Sequence, residues 1–226
     1  LALTPNDRGA ARGTNPLALG LSSTAPAQPA EDTTPATATF EFHNRVPGYQ
    51  TSFYVLGFVT NTSRFAIDHP KVTVVLLDHA GKETATYDGY AEGDVIAPGA
   101  KAPVKVLVTT PPAFEKMSFE VVPKRATWSP QEAPGLRMEL ADPPHPTSGL
   151  SWEGSGKVHN DGAKGAKFVS VRVLAYDAKD HLVGIDSTFT DGEALGAKQS
   201  ARFRALLLYS IPPKRFEYAV SGRPVD

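Results

Sequence analysis

Residues 168–177 read FVSVRVLAYD, and the reading of this stretch decides the fold. Val169, Val171, Val173 and Ala175 fall on one side of an extended chain, and Ser170 and Arg172 fall on the other. A period of two with β-branched residues on the apolar side describes a strand with one face on a core and one in water. The alternation returns in SARFRAL, where Ala201, Phe203 and Ala205 alternate with Arg202 and Arg204, and again in Val104, Val106 and Val108 around Lys105. Turn chemistry separates these runs: DHAGK at 78–82, APGAK at 97–101, HNDG at 159–162 and DAKD at 177–180. Strands recurring about every 10–15 residues, with no helical period between them, predict an all-β chain built as antiparallel sandwiches.

The strands also repeat. GFVTN at 57–61 returns as GKVHN at 156–160, and at the same shift of 99 Phe53 falls on Trp152, Val72 on Val171, Asp78 on Asp177 and Val121 on Val220. PGAKAPVKVLV matches LGAKQSARFRAL at a shift of 97, which places Gly99 on Gly196 and Lys101 on Lys198 and predicts a change of length in the loops between Lys82 and Gly99. The chain therefore reads as a tandem duplication of one domain. Residues 38–122 are expected to form the first sandwich, 123–135 a proline-rich linker and 136–226 the second sandwich. Val59 and Val158 are expected in the cores, and Asn61 and Asn160 at strand ends, where a short amide can bond turning backbone. Gly57 and Gly156 are expected to let a large ring, Phe53 or Trp152, lie close to the backbone.

A Gly-x-Val-x-Asn strand, a strand ending in a Leu-x-Tyr-Asp box, a turn, and a Pro-Gly before an alternating strand together resemble the FxLYD domains. The box reads VLAYD at 173–177 and VLLD at 75–78, so the first copy has Leu77 where the family prefers an aromatic, and neither copy has the leading Phe. The resemblance covers residues 52–122 and 150–221. It implies immunoglobulin-like sandwiches of the kind common in prokaryotic envelope proteins, and it brings no catalytic residues.

Composition narrows the function. A net charge of −1 gives no electrostatic bias towards nucleic acid. The absence of cysteine removes disulfide frameworks, thiol catalysis and cysteine-based zinc sites. No window holds enough uninterrupted apolar residues to span a bilayer. His43, His69, His79, His145, His159 and His181 form no close ligand pair, and the acidic turns EGD 92–94, DAKD 177–180 and DGE 191–193 do not follow a calcium-loop pattern. There is no phosphate loop, dinucleotide fingerprint or nucleophile elbow. The NTS at 61–63 fits a glycosylation sequon but overlaps Asn61, whose place the repeat already explains. Arg202, Arg204, Lys214 and Arg215 are read as a solvated strand face. No catalytic residue, cofactor or metal ligand is expected.

Residues 1–37, rich in Ala, Thr, Pro and Gly, are expected to form an extended tail. Its apolar residues Leu1, Leu3, Leu17, Leu19 and Leu21 are candidate anchors on a protein partner, and Trp128, a large ring in the linker, is expected to fill the joint between the two domains, with a partner contact as the alternative. The start at Leu1 without a methionine leads to the expectation of a processed or anchored bacterial envelope protein, periplasmic or surface-exposed, with any membrane anchor lying upstream or in a partner. The expected function is that of a non-enzymatic accessory subunit of a larger assembly. The alternative is a ligand- or glycan-binding sandwich, for which Tyr49, Tyr87, Tyr90 and Trp128 are the candidate rings.

Overall fold

The computed structural model describes residues 34–147, 151–208 and 211–225, apart from the side chain of Pro143. The tail anchors Leu1, Leu3, Leu17, Leu19 and Leu21 lie outside these residues. The described body is all-β: two tandem antiparallel sandwiches that belong to one compact unit spanning Pro35–Asp226. The first copy comprises β1 (Ala38–Pro47), β2 (Phe53–Asn61), β3 (Ile67–Leu77), β4 (Glu83–Tyr90), β5 (Val95–Ile96), β6 (Lys101–Val108) and β7 (Lys116–Arg125). The second comprises β8 (Leu136–Pro146), β9 (Trp152–Asn160), β10 (Ala166–Tyr176), β11 (Leu182–Phe189), β12 (Ala194–Leu195), β13 (Ser200–Leu207) and β14 (Arg215–Pro224). In each copy one sheet has its second strand at the centre (β1-β2-β6, β8-β9-β13). The other is centred on the third strand (β4-β3-β7 with β5, and β11-β10-β14 with β12). The core of FVSVRVLAYD is where its period puts it: Val169, Val171, Val173 and Ala175 are buried.

The duplication is more regular than the sequence alignment suggests. β5 and β12, β6 and β13, and β7 and β14 all begin 99 residues apart, so the shift of 97 is not realised and the loops between Lys82 and Gly99 keep their length. Gly99 corresponds to Lys198, not to Gly196. Both residues sit at positive φ, 74° and 61°, and both donate their N–H to the strand-ending asparagine. The left-handed positions repeat as His69 and Phe168, Gly81 and Asp180, Gly93 and Gly192, and Gly99 and Lys198. Only one of these pairs is glycine in both copies, so backbone shape has outlasted side-chain identity. The length change lies elsewhere, in β8, whose pairing with β9 shifts register twice where β1 shifts once against β2.

Asn61 and Asn160 are the structural signature of the repeat. Asn61 is fully buried, and its Nδ2 donates to the carbonyl oxygens of Phe65 (2.8 Å) and Ile96 (2.9 Å) while its Oδ1 accepts the Ser63 N–H (2.8 Å). Asn160 does the same with Lys164 O (2.9 Å), Leu195 O (3.1 Å) and Gly162 N–H (2.9 Å), with Gly196 O at 3.2 Å as well. Each asparagine thus ties the end of its strand to the following loop and to the two-residue strand across the sandwich. The aspartate of the box has an equally local task. Asp78 Oδ1 accepts the N–H groups of Ala80 and Lys82, and Asp177 Oδ1 those of Lys179 and His181. The His181 N–H above all holds the Asp177 carboxyl below the usual carboxylate range.

The two glycines admit a large ring close to the backbone, as expected, but the ring is a different one. A Cβ at Gly57 would lie 2.2 Å from the Glu41 carbonyl oxygen and 2.6 Å from the Phe40 ring. At Gly156 it would lie 2.3 Å from the Glu139 carbonyl oxygen and 2.8 Å from the Phe203 ring. The covering ring is therefore Phe40 or Phe203, from a neighbouring strand, and not Phe53 or Trp152.

Tyr176, the aromatic of the second box, is buried, donates its hydroxyl proton to Glu217 Oε2 (3.0 Å) and lies under the Arg215 guanidinium at 4.0 Å. Burial first, and the Glu217 carboxylate second, push its pKa up to about 12. Burial alone pushes Tyr218 up to about 12, and its hydroxyl has no hydrogen-bond partner among the described residues.

Two outcomes are expected from these contacts. Replacing Asn61 by Ala removes the side-chain partner of two carbonyls and one N–H, and replacing Asn160 that of three carbonyls and one N–H, at a cost of about 2–4 kcal/mol each in urea unfolding; Asn→Asp, which cannot donate twice, costs as much. Tyr176 and Tyr218 hold their protons more tightly in the folded chain than in the unfolded chain, where tyrosine titrates near pH 10. Their stabilising contribution is complete below about pH 10 and declines towards about pH 12. A Tyr176→Phe/Tyr218→Phe variant should show a smaller loss of urea midpoint across that window than the parent.

Candidate functional site

Side chains that differ between the two copies are the place to look for function, because what the copies share builds the scaffold. The outward face of the first copy's β1-β2-β6 sheet carries Tyr54, Leu56 and Phe58 on β2, with Val46 on β1. The residues 99 positions on are Glu153, Ser155, Lys157 and His145. On the second copy's β11-β10-β14 sheet the outward positions include Leu174 and Ile185, paired across β10 and β11, with Val183 at the adjoining irregularity. Their counterparts in the first copy are Val75, Thr86 and Thr84.

The two apolar faces meet. Val46 and Leu56 are buried in the same cluster as Leu174, Val183 and Ile185, and Tyr54 and Phe58 pack against it. Each fully buried aliphatic chain contributes about 1.5–3 kcal/mol by leaving water. Polar contacts fix the register of the joint. Lys105 Nζ donates to Ile185 O (3.0 Å), the Leu182 N–H to His43 Nδ1 (3.2 Å), and Ser187 Oγ to Glu92 Oε2 (2.6 Å), while Arg223 bonds Asp94. Trp128, the linker ring, is 39% exposed and lies under the Arg223 guanidinium at 5.4 Å, so it is tied to the second sandwich at this joint.

The faces left outside the joint are mainly polar, with Tyr90, Val122 and Leu206 exposed among their charged side chains. In the second copy Arg204 forms a two-pronged pair with Glu153 (2.5 and 2.7 Å), which holds that carboxyl below its ordinary range. On the same sheet Ser200 Oγ lies 2.7 Å from His159 Nδ1, and His159 Nε2 lies 3.0 Å from Glu139 Oε2. This row of serine, imidazole and carboxylate has the residue types of a hydrolase triad, and sequence inspection missed it because the three residues come from three strands. Its geometry is that of a cross-strand ladder. In the first copy the same diagonal is filled by Lys101, which reaches Glu41 directly at 3.1 Å and depresses that carboxyl. Neither the cleft beside Arg45 nor the one beside Leu195 includes the row, and the N–H of Gln199 beside Ser200 is spent on Gly196 O.

Arg204 and Arg215 of the expected basic face are each paired with carboxylates. Of the candidate rings, Tyr49 and Tyr90 are exposed and Tyr87 spends its hydroxyl on Thr109 O (2.9 Å). Strand direction puts Tyr49, in the β1–β2 turn, at one end of the first sandwich, and Tyr90, ending β4, at the other. Among the described residues no group of three or more His, Asp or Glu could hold a metal ion, and no helix is long and apolar enough to cross a membrane. No protein-family model matches the chain, and no curated protein matches it significantly.

The joint gives a direct test. Leu56→Ser and Ile185→Thr install the residues that the sister copy carries at those positions. Each is expected to cost about 2–4 kcal/mol, and the double variant to split one calorimetric unfolding transition into two. A single transition with an unchanged midpoint would contradict the joint.

Proposed function

We propose that this chain is a non-enzymatic structural or accessory subunit, a stiff double sandwich that docks on a larger membrane-associated or surface assembly of a bacterial envelope. Its N-terminal segment and outward sheet faces are the docking surfaces in this reading, and its domains are FxLYD-like. The observation that supports it is what the duplication kept and what it let go. The asparagine clamps, the aspartate-capped turns and the left-handed backbone positions recur in both copies, as do the ring positions Phe53 and Trp152 and Tyr90 and Phe189, whereas the row of Ser200, His159 and Glu139 does not. Divergence has gone into the sheet faces, which suits a body whose work is to present surfaces at fixed spacing.

A ligand- or glycan-binding role is the second reading, favoured by the exposure of Tyr49 and Tyr90. It ranks lower because those rings stand at opposite ends of one sandwich.

The test is capture from gently solubilised membranes, using the full chain beside a form lacking residues 1–33. The cut is placed there because the Thr37 N–H bonds Ser63 Oγ (2.7 Å) and belongs to the sandwich. Stoichiometric partners lost with the segment are expected. Partners held equally well without it remove the anchoring role of the segment, and no partner for either form moves the reading to ligand binding, tested on a glycan array.

A further inference from the structure

Arg45 occupies an unusual place for an arginine. It pairs with Val55 across β1 and β2, and Val55 is fully buried in the first core, so Arg45 stands on the core-facing side of an edge strand. Its guanidinium lies 5.1 Å over the Phe53 ring and 5.9 Å from Phe114, two rings that are themselves 5.8 Å apart. No carboxylate pairs with it among the described residues, whereas Arg137, Arg204, Arg215 and Arg223 each have one. The guanidinium opens into a cleft of about 370 Å³ at this end of the first sandwich, lined by Pro47, Thr51, Phe53, Pro111 and Phe114 as well as by Arg45 itself.

The walls are stiff and carry no acid. Three prolines, Pro47, Pro111 and Pro112, restrict the two loops that frame the cleft. The β1–β2 turn is closed by Gly48 N–H to Ser52 O (2.9 Å) and Ser52 N–H to Tyr49 O (3.1 Å), and the opposite loop is held by Tyr87 on Thr109 O (2.9 Å). Each loop also contains a non-glycine residue in the left-handed region, Gln50 at φ 55° and Thr110 at φ 45°. For a β-branched threonine this conformation is costly, and such strain is characteristically found at binding sites. The second copy has no such arginine, since position 144 is proline.

We propose that this cleft binds a carboxylate carried on a flat apolar body. The planar fork of a guanidinium matches a carboxylate through two parallel hydrogen bonds, and stacking on Phe53 and Phe114 pre-orients it. One cation between aromatic and proline walls suits a singly charged acid better than a phosphate, which draws several donors. The acid is either a free aryl acid or the C-terminal residue of a peptide; the chemistry is shared.

The experiment is an amide-proton NMR titration of the full chain with phenylacetate and, separately, with phenylacetamide, its uncharged analogue. Phenylacetate is expected to move the Arg45, Thr51, Ser52 and Phe114 signals saturably and the amide to leave them in place. Arg45→Ala should weaken the acid at least about tenfold with an unchanged melting temperature, and Arg45→Lys, which keeps the charge without the fork, should fall between. A short peptide ending in phenylalanine, with a free or an amidated terminus, then separates the sources: tighter binding of the free-ended peptide than of phenylacetate assigns the cleft to a chain end, and weaker binding to a small acid. Equal effects of acid and amide on the parent chain, or undiminished binding by Arg45→Ala, would overturn the proposal and leave Arg45 as a charge guarding an edge strand. The amide comparison needs no variant, so a folding defect in Arg45→Ala does not decide the matter.

Discussion

Everything in this fold depends on how a strand is allowed to stop inside a sandwich. β2 and β9 end in the interior, where backbone carbonyls and N–H groups of the next loop face away from water and must find partners. A single asparagine supplies them. Its amide donates twice and accepts once, matching what the loop and the two-residue strand opposite leave unpaired. Neither aspartate nor serine offers that combination at that reach. With the asparagine in place, the third strand starts in register and the two sheets of each sandwich are fixed over one another.

The second constraint is the meeting of the two copies. A duplicated domain begins with identical faces, and two identical half-apolar sheets have no reason to pair one way only. Here the faces have diverged in complementary fashion: Tyr54, Leu56 and Phe58 on one side and Leu174, Val183 and Ile185 on the other, with polar residues at every sister position but that of Leu174, which is Val75. Only one pairing buries apolar surface without burying charge, so the order and attitude of the sandwiches follow from water exclusion. The outer sheets carry ion pairs such as Arg204–Glu153 and Lys71–Asp88 instead of a continuous apolar face. One compact two-domain unit results, rather than two beads on a linker.

Much of this was written in the sequence. The period of two in FVSVRVLAYD placed its core residues, and the repeat of Gly-x-Val-x-Asn located equivalent strands. Both signals are local, set by alternation and by turn chemistry that a few neighbouring residues control. The alignment slipped where similarity of letters and similarity of backbone parted: Gly99 matches Gly196 by eye, yet its structural partner is Lys198, because the left-handed turn tolerates either residue. The ring over each glycine was misassigned for a related reason, since Phe40 and Phe203 reach it from neighbouring strands. The joint was legible in principle, as a contrast between sister positions such as Leu56 and Ser155, but only once the repeat is read for its differences.

By itself, then, the sequence determined the class of the fold, the existence of two copies and the strands and turns that compose them, because these follow from short-range patterning of apolar and turn-forming residues. Tertiary structure alone decided which faces meet, which ring covers which glycine, and that Arg45 stands over Phe53 and Phe114 in a cleft free of acids. Those outcomes rest on contacts between residues far apart in the chain, whose distances no local period encodes.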